Sequence, residues 1–123
     1  MSQYDIFLSY SHGKHDKLIP QAYRIYKTLT NAGFSVWFDF DQMKSSHDIK
    51  KQMRTGINNS SLFVALLSPD YIKSYNCNYE FAHAITRKPI VAFRAVPGHY
   101  TLPGNLTVHP IKDLISTLTP LFV

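Results

Sequence analysis

The amino-acid sequence predicts an α/β fold, an open and doubly wound parallel sheet of about five strands with helices on both faces. Four short apolar runs, rich in Ile, Val and Phe, mostly do not alternate with polar residues, which is typical of strands covered on both faces. Helical patterns lie between these runs. No linker or internal repeat divides the 123 residues, so we expect one domain, 1–123, whose apolar ending LFV would suit a boundary before a further domain.

The predicted strands are the four apolar runs and one weaker segment. They cover residues 4–10 (YDIFLSY), 34–38 (FSVWF), 61–68 (SLFVALLS) and 89–96 (PIVAFRAV), with a weak fifth strand around 106–108. Trp37 and Phe38 are expected in the core, and Asp5 is expected to be a buried structural acid. Ligands of such sheets bind outside the carboxyl ends of the strands. We therefore expect function in the loops at 9–16, 39–46, 68–76 and 95–104.

Four helices are predicted between and after the strands. The first follows an N-cap at Asp16 and ends at Gly33, and the second follows a cap at Ser46. The third opens near Asn76, and the last begins at Pro110, a residue suited to the first helical position. Their apolar faces are expected to be formed, in chain order, by Leu18, Ala22, Ile25 and Leu29; by Ile49, Met53 and Ile57; by Phe81, Ala82 and Ile85; and by Ile111, Leu114, Ile115, Leu118 and Leu121.

The charge pattern does not favour a nucleic-acid partner. The net charge is +5, but the 13 Lys and Arg residues are spread along the chain and only Lys50, Lys51 and Arg54 cluster. This cluster lacks the interleaved aromatic residues of a base-stacking platform. No apolar run approaches the roughly 20 residues of a membrane helix, and a single cysteine, Cys77, excludes an internal disulfide. The sequence therefore predicts a cytoplasmic domain that binds neither nucleic acid nor membrane.

Missing motifs exclude several kinds of α/β active site. The turn after the first strand has one Gly, so the dinucleotide-binding fingerprint is absent, and no Gly-x-x-x-x-Gly-Lys-Ser/Thr loop exists. A phospho-receiver would need an Asp where Ser68 follows the third strand, and the Gly-x-Ser-x-Gly elbow of α/β-hydrolases is absent. His12 and His15 share a loop with Asp16, but no further ligand lies at metal spacing. We predict no metal and no prosthetic group.

Three motifs, taken in order, closely resemble those of a Toll/interleukin-1 receptor (TIR) domain, most like the microbial NAD-cleaving type. The first strand matches Tyr-Asp-x-Phe-x-Ser-Tyr at 4–10, and an Ile-x-x-Ser run at 57–60 leads into the third strand. The third motif is Ser-x-x-Tyr-x-x-Ser-x-x-Cys-x-x-Glu, formed here by Ser68, Tyr71, Ser74, Cys77 and Glu80. The resemblance spans residues 4 to about 94 and implies a flavodoxin-like open sheet.

The resemblance implies two possible functional classes. Some TIR domains are adaptors that assemble with other TIR domains, and others cleave NAD at the nicotinamide–ribose bond with a glutamate on the helix after the third strand. Glu80 holds that position. Nicotinamide is already a cationic leaving group, so one carboxylate suffices to stabilise the oxocarbenium-like ribose. The resemblance thus implies an NAD hydrolase or cyclase in immune or antiviral defence signalling, with NAD as substrate and ADP-ribose or a cyclic form as product.

The resemblance also implies the residues that bind the substrate. Tyr10, Ser11 and His12, after the first strand, would line the nucleotide. Phe40 and Asp41 open the loop after the second strand, which the family uses for self-association and for gating the site. Catalytic TIR domains commonly complete the pocket where two copies meet. We therefore expect a homo-oligomer or assembly with other TIR domains.

Two positions depart from the pattern of the catalytic members. Those members usually have Trp four residues before the glutamate, where this chain has Asn76, and neighbouring Tyr75 is the candidate to replace the ring. The second loop usually contains Gly just before its helix, whereas SSHD at 45–48 has none. The geometry of self-association is therefore expected to differ from that of the family.

Alternative functions stay open at this point. One is a non-catalytic TIR interaction module, an adaptor or scaffold. Another is a nucleoside deoxyribosyltransferase, which also uses a glutamate at an N-glycosidic bond, although the TIR motifs disfavour it. Glu80 has a simpler interpretation, because the helix dipole stabilises an acid near a helix start by about 0.3–1 kcal/mol. Cys77 is expected to be a small buried hydrophobe and not a nucleophile.

Overall fold

A computed structural model describes residues 3–12, 18–38 and 49–122 of the chain. Five strands form one sheet in the order β2-β1-β3-β4-β5, and every pair of neighbours is parallel. The strands are β1 (Tyr4–Ser9), β2 (Val36–Trp37), β3 (Ser60–Leu67), β4 (Ile90–Arg94) and β5 (Val108–Pro110). This order reverses direction between β1 and β3, as in flavodoxin-like folds. The predicted open parallel α/β sheet is confirmed.

The described helices follow the predicted alternation with the strands. They are α1 (Leu18–Asn31), α2 (Ile49–Asn58), α3 (Pro69–Lys73), α4 (Tyr75–Ile85) and α5 (Leu114–Leu118), with 3₁₀ turns at Pro103–Asn105, Ile111–Asp113 and Thr119–Phe122. The predicted caps Asp16 and Ser46 lie outside the described residues. Within the described ranges, no helix combines the length and the apolar character needed to cross a bilayer.

Two apolar layers cover the two faces of the sheet, because successive strand residues point to opposite sides. On one face α1 and α5 pack against the layer that contains Ile6, Leu8, Val64 and Phe93. On the other face α2, α3 and α4 pack against Phe7, Phe63, Ala65 and Leu67. Helices on both sides explain why the strands lack polar alternation. Trp37 and Phe38 are in the core as predicted, on opposite faces.

Two glycines have clear structural roles. Gly33 has a φ of 100° and ends α1, with its N–H bonded to the carbonyl of Thr30 and the N–H of Phe34 bonded to that of Leu29. This pair of bonds is a Schellman motif, and it confirms the predicted stop. Gly56 lies on α2 against the indole of Trp37, where a Cβ would come within 2.7 Å of the ring. The missing side chain at Gly56 lets α2 approach the sheet closely.

Several local predictions were wrong. The predicted fifth strand exists, but it covers Val108–Pro110 and so begins and ends two residues later than predicted. Pro110 ends that strand instead of starting the last helix. On α4 the predicted inward residues Ala82 and Ile85 are exposed, because the inward stripe passes through Cys77, Phe81 and Ala84.

Two residues are more exposed than the sequence predicted. Leu121 is exposed in the last 3₁₀ turn. Asp5 is half-buried, and its carboxylate accepts from the N–H of Ser35 at 2.9 Å, which agrees with the predicted structural role.

Candidate active site

The segment from Ser68 to Glu80 forms two short helices in succession, each opened by a serine. Ser68 follows β3 and accepts the N–H of Tyr71 at 3.1 Å, which caps α3. Ser74 ends α3 and accepts the N–H of Cys77 at 3.2 Å, which caps α4. Because an N-cap oxygen accepts from the third residue beyond it, the three-residue spacing of the motif follows from two consecutive caps.

The sequence predicted a loop at 68–76, where the structure has the short helix α3. The pattern that could have revealed this helix is Ser68-Pro69-Asp70, because it places a capping residue, a proline and an acid in the order typical of a helix start.

Glu80 lies in the second turn of α4 and is buried, with 6% of its surface exposed. Its Oε1 accepts a hydrogen bond of 2.6 Å from Oγ of Ser9, the last residue of β1. The same Oγ lies 2.8 Å from the hydroxyl of Tyr71. The carboxylate therefore sits at the carboxyl ends of β1 and β3, where the strand order reverses and where ligands of such sheets bind.

The environment of Tyr71 keeps its hydroxyl protonated. Burial raises the pKa of the phenol well above its usual value of 10.0, and electrostatic interactions with Cys77 and Glu80 raise it further. The hydrogen bond with Ser9 acts in the opposite direction, but burial is the largest effect. Tyr71 is therefore a neutral hydrogen-bonding group near Glu80 at any physiological pH.

Tyr10, the first residue after β1, has contacts on both faces of the sheet. Tyr10 is buried in the α1 layer, where its ring stacks on Phe38 at 5.3 Å and on His12 at 4.8 Å. Its carbonyl accepts from Sγ of Cys77 at 3.5 Å, so its backbone faces the side of Glu80. Ser11 is buried and His12 is exposed. The role of these residues in nucleotide binding stays a prediction.

Tyr75 and Asn76 occupy different sides of α4. Asn76 is exposed and lies one turn before Glu80, on the same side of the helix. The ring of Tyr75 stacks on Tyr79 at 6.5 Å, and its hydroxyl accepts from Nζ of Lys50 at 2.9 Å. The geometry thus directs Tyr75 toward α2. Its proposed replacement of the family's Trp stays a prediction.

The contact between α2 and α4 is a ladder of three polar pairs, which we call the α2–α4 ladder. Its members are related by steps of four residues on each helix: Lys50 with Tyr75, Arg54 with Tyr79, and Asn58 with His83. Nζ of Lys50 also lies 5.0 Å from the ring centroid of Tyr75 and 5.4 Å from that of Tyr79. The α2–α4 ladder holds α4, the helix of Glu80, beside α2. The sequence did not predict this ladder.

Two predicted site residues, Phe40 and Asp41, lie outside the described residues. Across the described ranges, no group of three or more His, Cys, Asp or Glu side chains could hold a metal ion. Cys77, the one cysteine of the sequence, is buried, as expected of a small packed side chain.

A known protein family matches most of the chain. The TIR domain model matches residues 6–115. The chain belongs to the TIR domain family. In this TIR domain, Ser9, Tyr71 and Glu80 all lie inside the matched region.

Curated relatives of this TIR domain are microbial. It is 34% identical, over 64% of its length, to the probable 2′ cyclic ADP-D-ribose synthase TcpO of Methanobrevibacter olleyae. It is 32% identical over 70% to the 2′ cyclic ADP-D-ribose synthase AbTIR of Acinetobacter baumannii, and 24% identical over 94% to BtTIR of Bacteroides thetaiotaomicron, which has the same activity in its name. The chain covers 22%, 31% and 45% of these three proteins respectively, less than half of each.

Two solved structures with the same fold come from animal receptors. The TIR domain of the Toll-related receptor TRR-2 from Hydra magnipapillata superposes with a TM-score of 0.75 at 18% identity, over 97% of this chain and 91% of that one. A metazoan TIR-STING receptor from C. gigas superposes with a TM-score of 0.63 at 20% identity, over 98% of this chain and 37% of that one. At these identities the likeness establishes the fold alone.

Proposed function

We propose that this TIR domain cleaves NAD at the bond between nicotinamide and ribose, with Glu80 as the catalytic carboxylate. One observation carries the proposal. Glu80 is buried at the carboxyl edge of the sheet, at the point where the strand order reverses, and a strand hydroxyl donates to it. Curated relatives named as 2′ cyclic ADP-D-ribose synthases support the choice of NAD as substrate.

The chemistry requires little more than a well-placed negative charge. The bond from the anomeric carbon to the nicotinamide nitrogen breaks, and its electron pair leaves with neutral nicotinamide. Positive charge then develops on the ribose, and an ionised carboxylate beside it lowers the energy of that state. The side chain of Glu80 is largely shielded from water, which strengthens this electrostatic effect.

The names of the relatives favour a cyclic product. A hydroxyl of the same molecule would attack the anomeric carbon and lose its proton, which gives the 2′ cyclic ADP-D-ribose of those names. Attack by water on the same carbon would give ADP-ribose. We further propose that self-association activates the domain and that its product serves immune or antiviral defence in the cytoplasm.

The decisive experiment compares the wild type with Glu80→Gln. Gln keeps the size and one carbonyl acceptor but cannot carry the charge, so nicotinamide release should fall at least about 100-fold, the scale of a lost electrostatic contact in a transition state. Concentrated protein is incubated with NAD, with and without a crowding agent. The products are then separated and identified by mass spectrometry.

Ser60→Ala is the matched control for the Glu80→Gln experiment, because Ser60 is fully buried at the opposite end of the sheet and donates to the carbonyl of Gly56. Equal activity of wild type and Glu80→Gln would remove Glu80 from the mechanism. Absence of nicotinamide release under every assembly condition would favour the interaction module instead.

A further inference from the structure

Three side chains from three separate elements form one hydrogen-bonded row. Tyr71 of α3 lies 2.8 Å from Oγ of Ser9 on β1, and that Oγ lies 2.6 Å from Oε1 of Glu80 on α4. All three are at least nine-tenths buried. The partners of Ser9 are 62 and 71 residues away in the sequence, so only the folded sheet brings the row together.

The directions of the two hydrogen bonds follow from counting protons. A serine hydroxyl has one proton, and an ionised carboxylate can only accept. Since Ser9 donates to Glu80, its oxygen must accept from Tyr71, and the Tyr71 hydroxyl must be the donor. The raised pKa of Tyr71 agrees with this direction, because the phenol keeps its proton.

We propose that Ser9 and Tyr71 are positioning residues for Glu80: Tyr71 donates to Ser9, Ser9 donates to the carboxylate, and the row fixes the orientation of that carboxylate and favours its ionised form. The catalytic consequence rests on the proposed function. The structural consequence does not, because it concerns groups within this chain alone.

The physical basis is the cost of a buried charge. A carboxylate taken out of water is unfavourable unless donors compensate it, and hydrogen bonds to the charged form favour that form. Donation from Tyr71 to Ser9 polarises the Ser9 hydroxyl and so strengthens the second bond. Because Ser9 ends β1, the row also ties Glu80 to the sheet at the edge where a ligand of this fold would bind.

Other titratable groups lie near this row. Besides Tyr71 from α3, the Cys77 thiol of α4 is close enough to affect Tyr71 electrostatically, as Glu80 does. From β1 the facing group is Ser9, which does not titrate, and the next residue is the buried Tyr10. Substitutions in the row leave Cys77 and Tyr10 unchanged, so a difference between variants reports on the row.

The sequence offers a direct probe, because Glu80 is the only glutamate among the 123 residues. Labelling with glutamate enriched in ¹³C at Cδ therefore gives one carboxyl resonance, which titrates, whereas glutamine amide carbons do not. The chemical shift is followed against pH in the wild type, Ser9→Ala, Tyr71→Phe and the matched control Ser60→Ala. Thermal unfolding of each variant is recorded in parallel.

The expected result is an ordered series of titration midpoints. Ser9→Ala should raise the midpoint of Glu80 by about one pH unit, the effect of losing one hydrogen bond to a charged group. Tyr71→Phe should raise it by less, and Ser60→Ala should leave it unchanged. Tyr71→Phe keeps the aromatic ring in the core, so this variant tests the proposal even if Ser9→Ala does not fold.

The proposal is overturned if Ser9→Ala and Ser60→Ala give the same midpoint, or if Tyr71→Phe leaves it unchanged or lowers it. Kinetics provide the second measurement. If the chain cleaves NAD, Ser9→Ala should lower kcat about tenfold with a change in KM below about twofold, because orientation of the carboxylate matters most in the transition state. If the chain does not cleave NAD, the titration series still decides the proposal.

Discussion

Nη1 of Arg54 on α2 lies 2.6 Å from the hydroxyl of Tyr79, the residue immediately before Glu80 on α4. This pair is the middle step of the α2–α4 ladder. Phe81 and Ala84 fix the opposite side of α4 against the sheet. The helix of the candidate catalytic residue is therefore held by apolar packing on one side and by charged and aromatic side chains on another.

The first prediction concerns the stability supplied by this ladder. Arg54→Met keeps the aliphatic stem but removes the donor, and it should lower the free energy of unfolding by about 1 kcal/mol, since the pair is half-buried and the bond is charge-assisted. Urea unfolding of Arg54→Met, Tyr79→Phe and the double variant measures the coupling. Strictly additive losses would mean that the two side chains contribute independently.

A second prediction follows from the close contact at Gly56. A Cβ at this position would lie 2.7 Å from Cε2 of Trp37, and the indole cannot turn away freely because it stacks on Phe7 at 4.5 Å. Gly56→Ala should therefore lower the free energy of unfolding by about 1–2 kcal/mol, although alanine is the better helix former. Thermal and urea unfolding measure this change.

The matched control for the Gly56 prediction is Thr55→Ala, which introduces the same residue at the neighbouring, exposed position of α2. This variant should be neutral or slightly stabilised, because it gains helix propensity without meeting the indole. Stabilisation by Gly56→Ala would show that α2 can move away from Trp37 at little cost.

The sequence predicted the features that depend on residues close together in the chain. Apolar runs and the stop at Gly33 are local patterns, so the parallel sheet and the end of α1 could be derived. The sequence also showed that Glu80 follows the third strand. It could not show which side chains form hydrogen bonds with Glu80. Ser9 occupies an ordinary strand position, and its contacts with Tyr71 and Glu80 exist only because β1 and β3 are neighbours in the sheet.

The α2–α4 ladder could not be predicted for the same reason. Each pair joins residues 25 positions apart, and β3 lies between the two helices in the sequence. Nothing in the spacing of Lys50 and Arg54 distinguishes ladder residues from an ordinary solvated face. The third pair contains a titratable side chain, His83.

His83 should make stability depend on pH. Burial lowers its pKa from the usual value of 6.5, and the positive charges of Arg87 and Arg54 lower it further. The unfolded chain therefore binds the proton more readily, and the stability associated with neutral His83 is present above about pH 6.5 and is lost as the pH falls through the lower, folded value. Oδ1 of Asn58 accepts from Nε2 of His83 at 3.0 Å, and this bond forms in either protonation state because the imidazolium keeps the same N–H.

The measurement is the free energy of unfolding at several pH values for the wild type and His83→Gln. Glutamine can donate to Asn58 and does not titrate, so the variant should lose less stability than the wild type between about pH 7.5 and pH 5. The other five histidines are present in both proteins, so their contributions cancel in the comparison. Parallel curves would contradict the role assigned to His83.

The last prediction concerns the exposed Asn76, one helical turn before Glu80. Asn76→Trp should leave the free energy of unfolding nearly unchanged, because the side chain faces solvent. If the chain cleaves NAD, the indole should contact the cationic nicotinamide ring, which is worth about 0.5–1 kcal/mol at an exposed site and corresponds to a two- to fivefold lower KM. Asn76→Leu is the matched control, since it adds apolar surface without a π face. Equal KM values for the two variants would show that the aromatic ring makes no specific contact. A higher KM for Asn76→Trp than for the wild type would mean that NAD binding requires a small side chain at position 76.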